Sequence, residues 1–317
     1  MENKTICFSE VPELKLNHLS AAKNYIYAIV TVLIWSTMAA TVKKMLYDIP
    51  NLEALSVSSI FAALFLLAVN LKTGAIKEAK KYSVKDYGIM SGLGFLGLFL
   101  YSALYYYGLA QLSSQEACIL NYLWPMMLVV FSCIILKEKL TLAKVLAMLC
   151  SFTGIVILSL GNEGLTSGNT AFGMLACIVA AACYGLFSVL NKKADYHQGI
   201  SMMVIWLVVA VCAMIAGLMT ETWVPIRGSQ WLGILWLGIA TDAVAYLLWA
   251  LALKGVENTA KIANLAYLTP FLSLLVSALV LKETIKLQAL AALILIIGGI
   301  LLQNFWSAKK TKTEERK

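Results

Sequence analysis

The sequence NYLWPMMLVVFSCIILKE occupies residues 121–138, and a related sequence, AYLTPFLSLLVSALVLKE, occupies residues 266–283. The two align without a gap at a shift of 145 positions, with a tyrosine, a proline and a terminal Lys-Glu pair in register. Tyr101 and Tyr246 align at the same shift. The chain therefore contains two copies of one unit.

Apolar runs separated by polar turns predict ten membrane-spanning helices. The 317 residues are 61% hydrophobic and 13% charged, whereas a soluble domain is about 25% charged. About 20 apolar residues in a helix cross a bilayer core. The predicted spans are 24–42, 52–71, 86–108, 114–136, 142–160, 170–190, 200–219, 230–253, 258–281 and 287–306. The predicted fold class is an all-α integral membrane protein.

The ten spans divide into two repeats of five helices. The first repeat is 24–160 and the second is 170–306, joined by an extracytoplasmic linker at 161–169. Residues 1–23 and 307–317 are expected to be cytoplasmic tails. Because five is an odd number, the second copy enters the membrane from the opposite side. Inverted repeats are typical of secondary transporters, which bind their substrate near the midplane between the copies.

The basic residues predict the orientation. With the N-terminus inside, 20 of the 25 Lys and Arg residues fall on cytoplasmic segments, as the positive-inside rule requires. This excess explains the net charge of +8, so we expect no nucleic-acid partner. The prediction is a multi-pass protein of the plasma (bacterial inner) membrane with both termini in the cytoplasm.

One carboxylate lies deep in a predicted span. Asp242 is about twelve residues from either end of the eighth span. An ionised carboxylate at that depth costs roughly 2.5–3.5 kcal/mol on insertion scales, so we expect it to face a cavity or a partner. The alternatives are a proton-coupling site, a contact for a substrate ammonium, and a hydrogen-bonded packing residue. Tyr246 and Trp249 follow at i+4 and i+7, which predicts one shared helix face.

Two prolines interrupt the fourth and ninth spans. Pro125 and Pro270 have no N–H, so the carbonyls of Asn121 and Ala266 lose their helical partners. Bare carbonyls at membrane depth must meet protein, water or ligand. The prolines therefore predict kinks, which either line a site or are satisfied by neighbouring side chains.

Further candidate site residues lie at similar depth in other spans. They are Trp35, Ser36 and Met38 in the first span, Tyr101 in the third, Asn121 and Trp124 in the fourth, Tyr184 in the sixth, and Asn264 and Tyr267 in the ninth. Trp35 is too deep to anchor at a headgroup, which favours a cavity wall or core packing. Asn264 and Tyr267 complete the lining or bond across helices.

Residues near the span ends are expected to meet the membrane surface or water. Tyr105, Tyr106 and Tyr107 predict an aromatic belt at the end of the third span. Glu116 is expected to be interfacial, with a gate as the alternative. The Lys-Glu pairs that end the fourth and ninth spans are expected to be solvated.

Some apparent motifs carry no chemistry. Gly92, Gly94 and Gly97 spell a dinucleotide-binding fingerprint, but they lie inside an apolar span with no strand before them, so we expect packing glycines. The seven cysteines have no metal-binding or redox spacing. We expect no metal and no cofactor.

Three short strings resemble a known family. They are WSTM at 35–38, NYLWP at 121–125 and AYxxW at 245–249. Together with ten helices, two proline-bearing spans and the repeated Lys-Glu, they make the chain similar, over about residues 24–306, to the EamA type of the drug/metabolite transporter superfamily. The strings themselves resemble its bacterial aromatic amino acid exporter branch.

This resemblance implies a function and a set of site residues. It implies export of phenylalanine, tyrosine and tryptophan through a central cavity walled by aromatic side chains. The implied lining is Trp35, Tyr101, Trp124, Tyr184, Tyr246 and Trp249. Asp242 departs from the exporter pattern, in which an apolar residue follows the matching Thr241, and the departure bears on substrate and coupling.

The sequence predicts a secondary transporter that exports small amphiphilic metabolites, above all aromatic or other apolar amino acids, by alternating access. We expect it to work in the bilayer as a monomer. The alternatives are a carrier of another metabolite or of a cationic drug, proton-coupled through Asp242. An intramembrane enzyme or assembly factor is the other class, but the two histidines, His18 and His197, lie in a tail and a loop, and one deep Asp cannot form an aspartyl dyad.

Overall fold

A computed structural model describes most of the chain. The described residues are 10–45, 47–135, 142, 145–146, 149–150, 153–154, 157, 168–194, 196–253, 264–295, 297–299 and 301. Within these ranges every regular element is a helix. Six helices there are long and apolar enough to cross a membrane. They are Lys23–Met45, Asn51–Lys72, Val84–Gln111, Asn169–Asn191, Gln198–Thr220 and Gln230–Trp249.

Each half contributes six α-helices to the described residues, which do not include the whole counterpart of every helix in the other repeat. The first half contains α1 (Glu10–Met45), α2 (Asn51–Lys72), α3 (Val84–Leu93), α4 (Leu100–Gln111), α5 (Ser114–Asn121) and α6 (Trp124–Ile135). The second contains α7 (Gly168–Lys193), α8 (Gln198–Thr220), α9 (Gln230–Leu235), α10 (Tyr246–Leu253), α11 (Leu268–Leu281) and the shorter apolar helix α12 (Leu287–Gly299). The first helix begins at Glu10, inside the segment predicted as a tail. Most of the predicted fifth span, 142–160, lies outside the described residues, as does the pair Lys137-Glu138.

Two π-helical segments occupy equivalent positions in the halves. Gly94–Phe99 joins α3 to α4, and Trp236–Ala245 joins α9 to α10. A shift of 145 residues places the first segment inside the second. Because π turns are rare in proteins, their recurrence at one repeat position reflects the duplication.

The helices break where the prolines predict kinks. α5 and α6 are separated by a turn at Tyr122 and Leu123, just before Pro125. In the second half, the 3₁₀ turn Asn264–Tyr267 precedes α11, which carries Pro270 in its first turn. A proline in the first helical turn removes no hydrogen bond, because the N–H groups of that turn have no helical partner. Each proline therefore starts a helix.

The antiparallel pair α2 and α8 joins the halves. The Glu221 carboxylate, just after α8, accepts hydrogen bonds of 3.0–3.1 Å from the backbone N–H groups of Leu52 and Glu53 at the start of α2. At the other end of the pair, Asn70 Nδ2 donates to the Gly199 carbonyl at 2.9 Å. The start of α2 meets the end of α8, so equivalent helices run in opposite directions, as an inverted repeat requires.

Glycines bring the first π segment close to the second half. A Cβ on Gly94 would lie 3.1 Å from the Ile205 backbone of α8, and a Cβ on Gly97 would collide with the Phe187 side chain of α7. Small residues allow such close approach of membrane helices. Both are therefore packing glycines, as predicted, whereas Gly92 has nothing within 4 Å of its Cβ position.

Candidate substrate-binding cavity

A cavity of about 40 Å³ is lined by residues of both halves. Seven predicted site residues line it: Trp35, Met38, Tyr101, Asn121, Trp124, Tyr184 and Tyr246. Sequence reasoning missed the other seven lining residues: Ala39, Tyr105, Cys118, Tyr122, Ala266, Thr269 and Ser273. By this measure a water needs about 10–15 Å³, so in this conformation the cavity holds on the order of three waters.

Two predicted site residues, Trp249 and Ser36, lie outside the wall. Trp249 packs behind it, with its ring centroid 5.5 Å from that of Trp35. The Ser36 hydroxyl donates to the Leu33 carbonyl of its own helix at 2.7 Å, which is the local bonding typical of serine in membrane helices. The side chains of Asn264 and Tyr267 lie outside the part of the chain that the structure describes.

Aromatic rings contact one another around the cavity through Tyr184. Its ring centroid lies 5.1 Å from that of Tyr101 and 5.1 Å from that of Trp124, the latter edge to face at 88°. Tyr246 completes the group at 6.3 Å. Each such pair contributes about 0.5–1.5 kcal/mol beyond its buried area. The four rings are therefore held in place by their neighbours.

Asn121 presents an unpartnered acceptor at the cavity. It is the last residue of α5, directly before the break that precedes Pro125. Its Nδ2 donates to the Tyr101 hydroxyl at 3.1 Å, and its side chain is buried. Among the described residues, its Oδ1 has no hydrogen-bond partner. A side-chain amide has two donors and one acceptor oxygen, so Asn121 offers a ligand that oxygen.

Asp242 lies behind the cavity wall. Its side chain is 1% exposed, beside the Ser58 hydroxyl of α2 and near the Tyr106 phenol. Its Oδ2 has no hydrogen-bond partner in the described ranges. Asp242 belongs to the second π segment, where an i→i+5 spacing replaces that of the α-helix. Tyr246 therefore reaches the cavity, whereas Asp242 does not.

The predicted aromatic belt is wrong for two of its three tyrosines. Tyr105 is 3% exposed and lines the cavity, and Tyr106 is 1% exposed beside Asp242. Only Tyr107 is exposed. Consecutive helical residues point in directions about 100° apart. A run of three tyrosines must therefore face several environments.

No charged side chain belongs to the cavity wall that the described residues form. The polar groups of the lining residues are hydroxyls, one amide, two indole N–H groups and the Cys118 thiol. Within the same ranges, no cluster of three His, Cys, Asp or Glu side chains is placed to hold a metal ion. The wall can form hydrogen bonds and ring contacts, but it supplies no counter-charge.

The two halves also contact each other at the start of α5, one helical turn from Cys118 of the cavity wall. Glu283, after α11, accepts hydrogen bonds from the Ser114 backbone N–H at 3.1 Å and from its hydroxyl at 2.8 Å. A carboxylate at a helix N-terminus satisfies free N–H groups. Lys286 lies 3.6 Å from buried Glu116. Glu283 is therefore a cap for α5, contrary to the prediction of a solvated pair.

The chain belongs to the EamA-like transporter family. The family's sequence model matches twice, over residues 22–160 and 171–305. This confirms the resemblance and the fold class predicted from the sequence. The protein is a multi-pass membrane transporter and not an enzyme.

Named relatives and a solved structure agree with this family. The uncharacterized transporter YoaV of Bacillus subtilis is 26% identical over 296 residues, which are 88% of this chain and 95% of YoaV. The aromatic amino acid exporter YddG of Ancylobacter novellus is 29% identical over 215 residues, which are 66% of this chain and 72% of YddG. A crystal structure with 23% identity superposes with a TM-score of 0.68 over 91% of this chain and 98% of its own. That last likeness concerns the fold alone.

Proposed function

We propose that this transporter exports small amphiphilic metabolites, foremost aromatic or other apolar amino acids, by alternating access. The observation that carries the proposal is the uncharged, ring-lined cavity between the two halves. The likeness to an aromatic amino acid exporter supports the same substrate class.

The chemistry of the wall suits an aromatic amino acid. Ring faces such as those of Trp124 and Tyr184 bury apolar area and attract an ammonium, with a cation–π energy of about 0.5–2 kcal/mol. Asn121 Oδ1 is an acceptor for that ammonium. A zwitterion brings its own counter-charge into the cavity, whereas a cationic drug would meet no charged side chain in the wall itself, which is costly. The wall therefore favours an amino acid over a cation.

Alternating access requires the halves to separate at one end and then at the other. The Glu283 to Ser114 contacts join the halves at one end, which the positive-inside rule makes the outer end. We propose that these contacts break when substrate is released outward. In the same scheme both termini are cytoplasmic, the plasma membrane is the location, and the repeats are 24–160 and 170–306.

Counterflow in proteoliposomes tests the substrate. Vesicles loaded with unlabelled phenylalanine should accumulate labelled phenylalanine, and aromatic amino acids should compete better than small polar amino acids or organic cations. Tyr184→Leu removes the ring that contacts the other rings, so we expect at least tenfold weaker exchange. Tyr107→Leu is the matched control, because Tyr107 is exposed and outside the wall. Absence of flux for every aromatic amino acid would refute the proposal.

Asp242 favours a second candidate function, proton coupling. Its buried carboxylate has an oxygen without a partner in the described ranges and lies one layer behind Tyr101 and Tyr246 of the wall. A proton bound there would change the charge next to the cavity. Asp242→Asn should abolish any pH dependence of transport, measured as initial uptake across a pH series. Equal pH profiles for the wild type and the variant would exclude Asp242 as the proton site.

A further inference from the structure

Equivalent residues of the two repeats meet in the cavity wall. At a shift of 145 residues, Asn121 corresponds to Ala266 and Trp124 corresponds to Thr269. All four residues line the cavity. The first repeat thus contributes an amide and an indole, whereas the second contributes a methyl group and a small hydroxyl. A ligand between them meets two chemically different walls and is oriented by the difference.

Thr269 carries a buried hydroxyl with no partner in the described part of the chain. The residue is 2% exposed and its Oγ1 makes no hydrogen bond of normal geometry, although the Tyr122 phenol lies close enough to be the partner that a ligand would replace. The other lining hydroxyl of α11, that of Ser273, donates to the Ser36 carbonyl at 3.0 Å and is satisfied. An unmade hydrogen bond of a buried hydroxyl is unfavourable. A ligand that completes it gains affinity.

Two buried polar groups of the wall without a partner among the described residues, Asn121 Oδ1 and Thr269 Oγ1, differ in kind. Asn121 Oδ1 only accepts hydrogen bonds, and one of the two Nδ2 N–H groups already donates to the Tyr101 hydroxyl. The Thr269 hydroxyl can donate a hydrogen bond as well as accept one. An ammonium needs an acceptor and a carboxylate needs a donor, so an α-amino acid matches the pair. Hydrogen bonds to ionised groups are about twice as strong as neutral ones.

We propose that Thr269 is a specificity-determining residue whose hydroxyl donates a hydrogen bond to the substrate carboxylate, while Asn121 Oδ1 accepts one from the ammonium. The inference rests on the proposed function and assigns the polar contacts within the same cavity. The substrate ring then lies against Trp124 and Tyr184, and the small side chain of Ala266 leaves space for the carboxylate.

Competition by phenylalanine and by phenethylamine tests the assignment, because the amine has the same ring and ammonium but no carboxylate. The readout is inhibition of labelled phenylalanine counterflow. The wild type should prefer the amino acid. Thr269→Val keeps the shape but removes the hydroxyl, so its preference should fall about tenfold. Thr269→Ser keeps the hydroxyl and should retain the preference. Asn121→Leu should weaken both competitors alike.

The outcomes separate this inference from the proposed function. Transport with an unchanged preference in Thr269→Val overturns the role of Thr269 and leaves amino acid export standing. No aromatic amino acid transport by the wild type overturns the proposed function itself. If Thr269→Val does not yield monodisperse protein, Thr269→Ala removes the same hydroxyl with a smaller side chain. An unchanged preference for phenylalanine over phenethylamine in Thr269→Ala would also overturn the inference.

Discussion

The π segment of the first half, Gly94–Phe99, carries Gly97, whereas the π segment of the second half, Trp236–Ala245, carries Asp242. The two residues occupy the same repeat position, 145 residues apart. Gly97 packs against Phe187 with no space for a side chain. Asp242 has a full side chain, buried beside Ser58. The duplication thus repeats the backbone but not the chemistry.

This difference separates two requirements of an inverted-repeat transporter. Exchanging inward and outward arrangements calls for equivalent backbones in the two halves. Binding an oriented ligand or coupling to an ion calls for unlike side chains. The repeat position of Gly97 and Asp242 meets both requirements, because its backbone is repeated and its side chains differ. The position of Trp124 and Thr269 in the cavity wall does the same.

The largest effect is expected where the glycine allows close packing. Gly97→Ala places a Cβ against the Cβ and Cγ of Phe187, near its backbone, so the neighbour cannot move away freely. Overpacking of this kind lowers the free energy of unfolding by about 1–3 kcal/mol. Thermal unfolding in detergent measures the loss.

Gly92→Ala is the matched control for that packing. Gly92 lies five residues earlier in the same span and has nothing within 4 Å of its Cβ position. Alanine there should leave stability unchanged or raise it by about 0.5–1 kcal/mol, because glycine is a poor helix former. Equal melting temperatures for the two alanine variants would contradict the close contact with Phe187.

A smaller effect is expected beside the carboxylate. Ser58→Ala removes a buried hydroxyl that lies next to Asp242 and donates to the Leu55 carbonyl at 3.2 Å, and the loss of such hydrogen bonding costs about 0.5–1.5 kcal/mol. Ser59→Ala is the control, since the Ser59 hydroxyl has no partner within the described ranges and its removal should be neutral or slightly stabilising. A Ser59→Ala variant that loses as much stability as Ser58→Ala would argue against a contact specific to Asp242.

The smallest effect is expected where Glu283 joins the two halves at Ser114. Glu283→Gln weakens two hydrogen bonds to Ser114 from charged to neutral strength, so the open arrangement should gain roughly 1 kcal/mol. Cys118 lines the cavity. In a variant that keeps it as the sole cysteine, an impermeant thiol reagent added outside should label it several-fold faster.

Lys286→Gln is the comparison variant for Glu283→Gln. It removes an ion pair of 3.6 Å whose lysine side chain is half exposed, and such pairs contribute about 0–1 kcal/mol. Labelling of Cys118 should therefore change little. If Lys286→Gln accelerates labelling and Glu283→Gln does not, the cap on α5 is not what limits access to Cys118.

Much of the site could be predicted from residue type and depth. Trp35 was identified because it lies too deep to anchor at a headgroup, and Trp124 and Tyr184 because they lie at similar depth and fit the family resemblance; all three line the cavity. Tyr105 was misassigned because consecutive tyrosines cannot be sorted by face without the neighbouring helices. Thr269 was missed because a small hydroxyl in an apolar span gives no signal until its lack of a partner is visible.

The amino-acid sequence by itself determined the duplication, the opposite directions of the two halves and the aromatic character of the site. Those properties follow from repeated residues, an odd number of spans and side-chain type, which packing cannot alter. Only the tertiary structure decided which side chains reach the cavity. Each helical residue is rotated by about 100° from the last, and the π turns and the breaks before Pro125 and Pro270 change that rotation. The positions of Tyr246, Asp242 and the other residues around the cavity depend on those local changes.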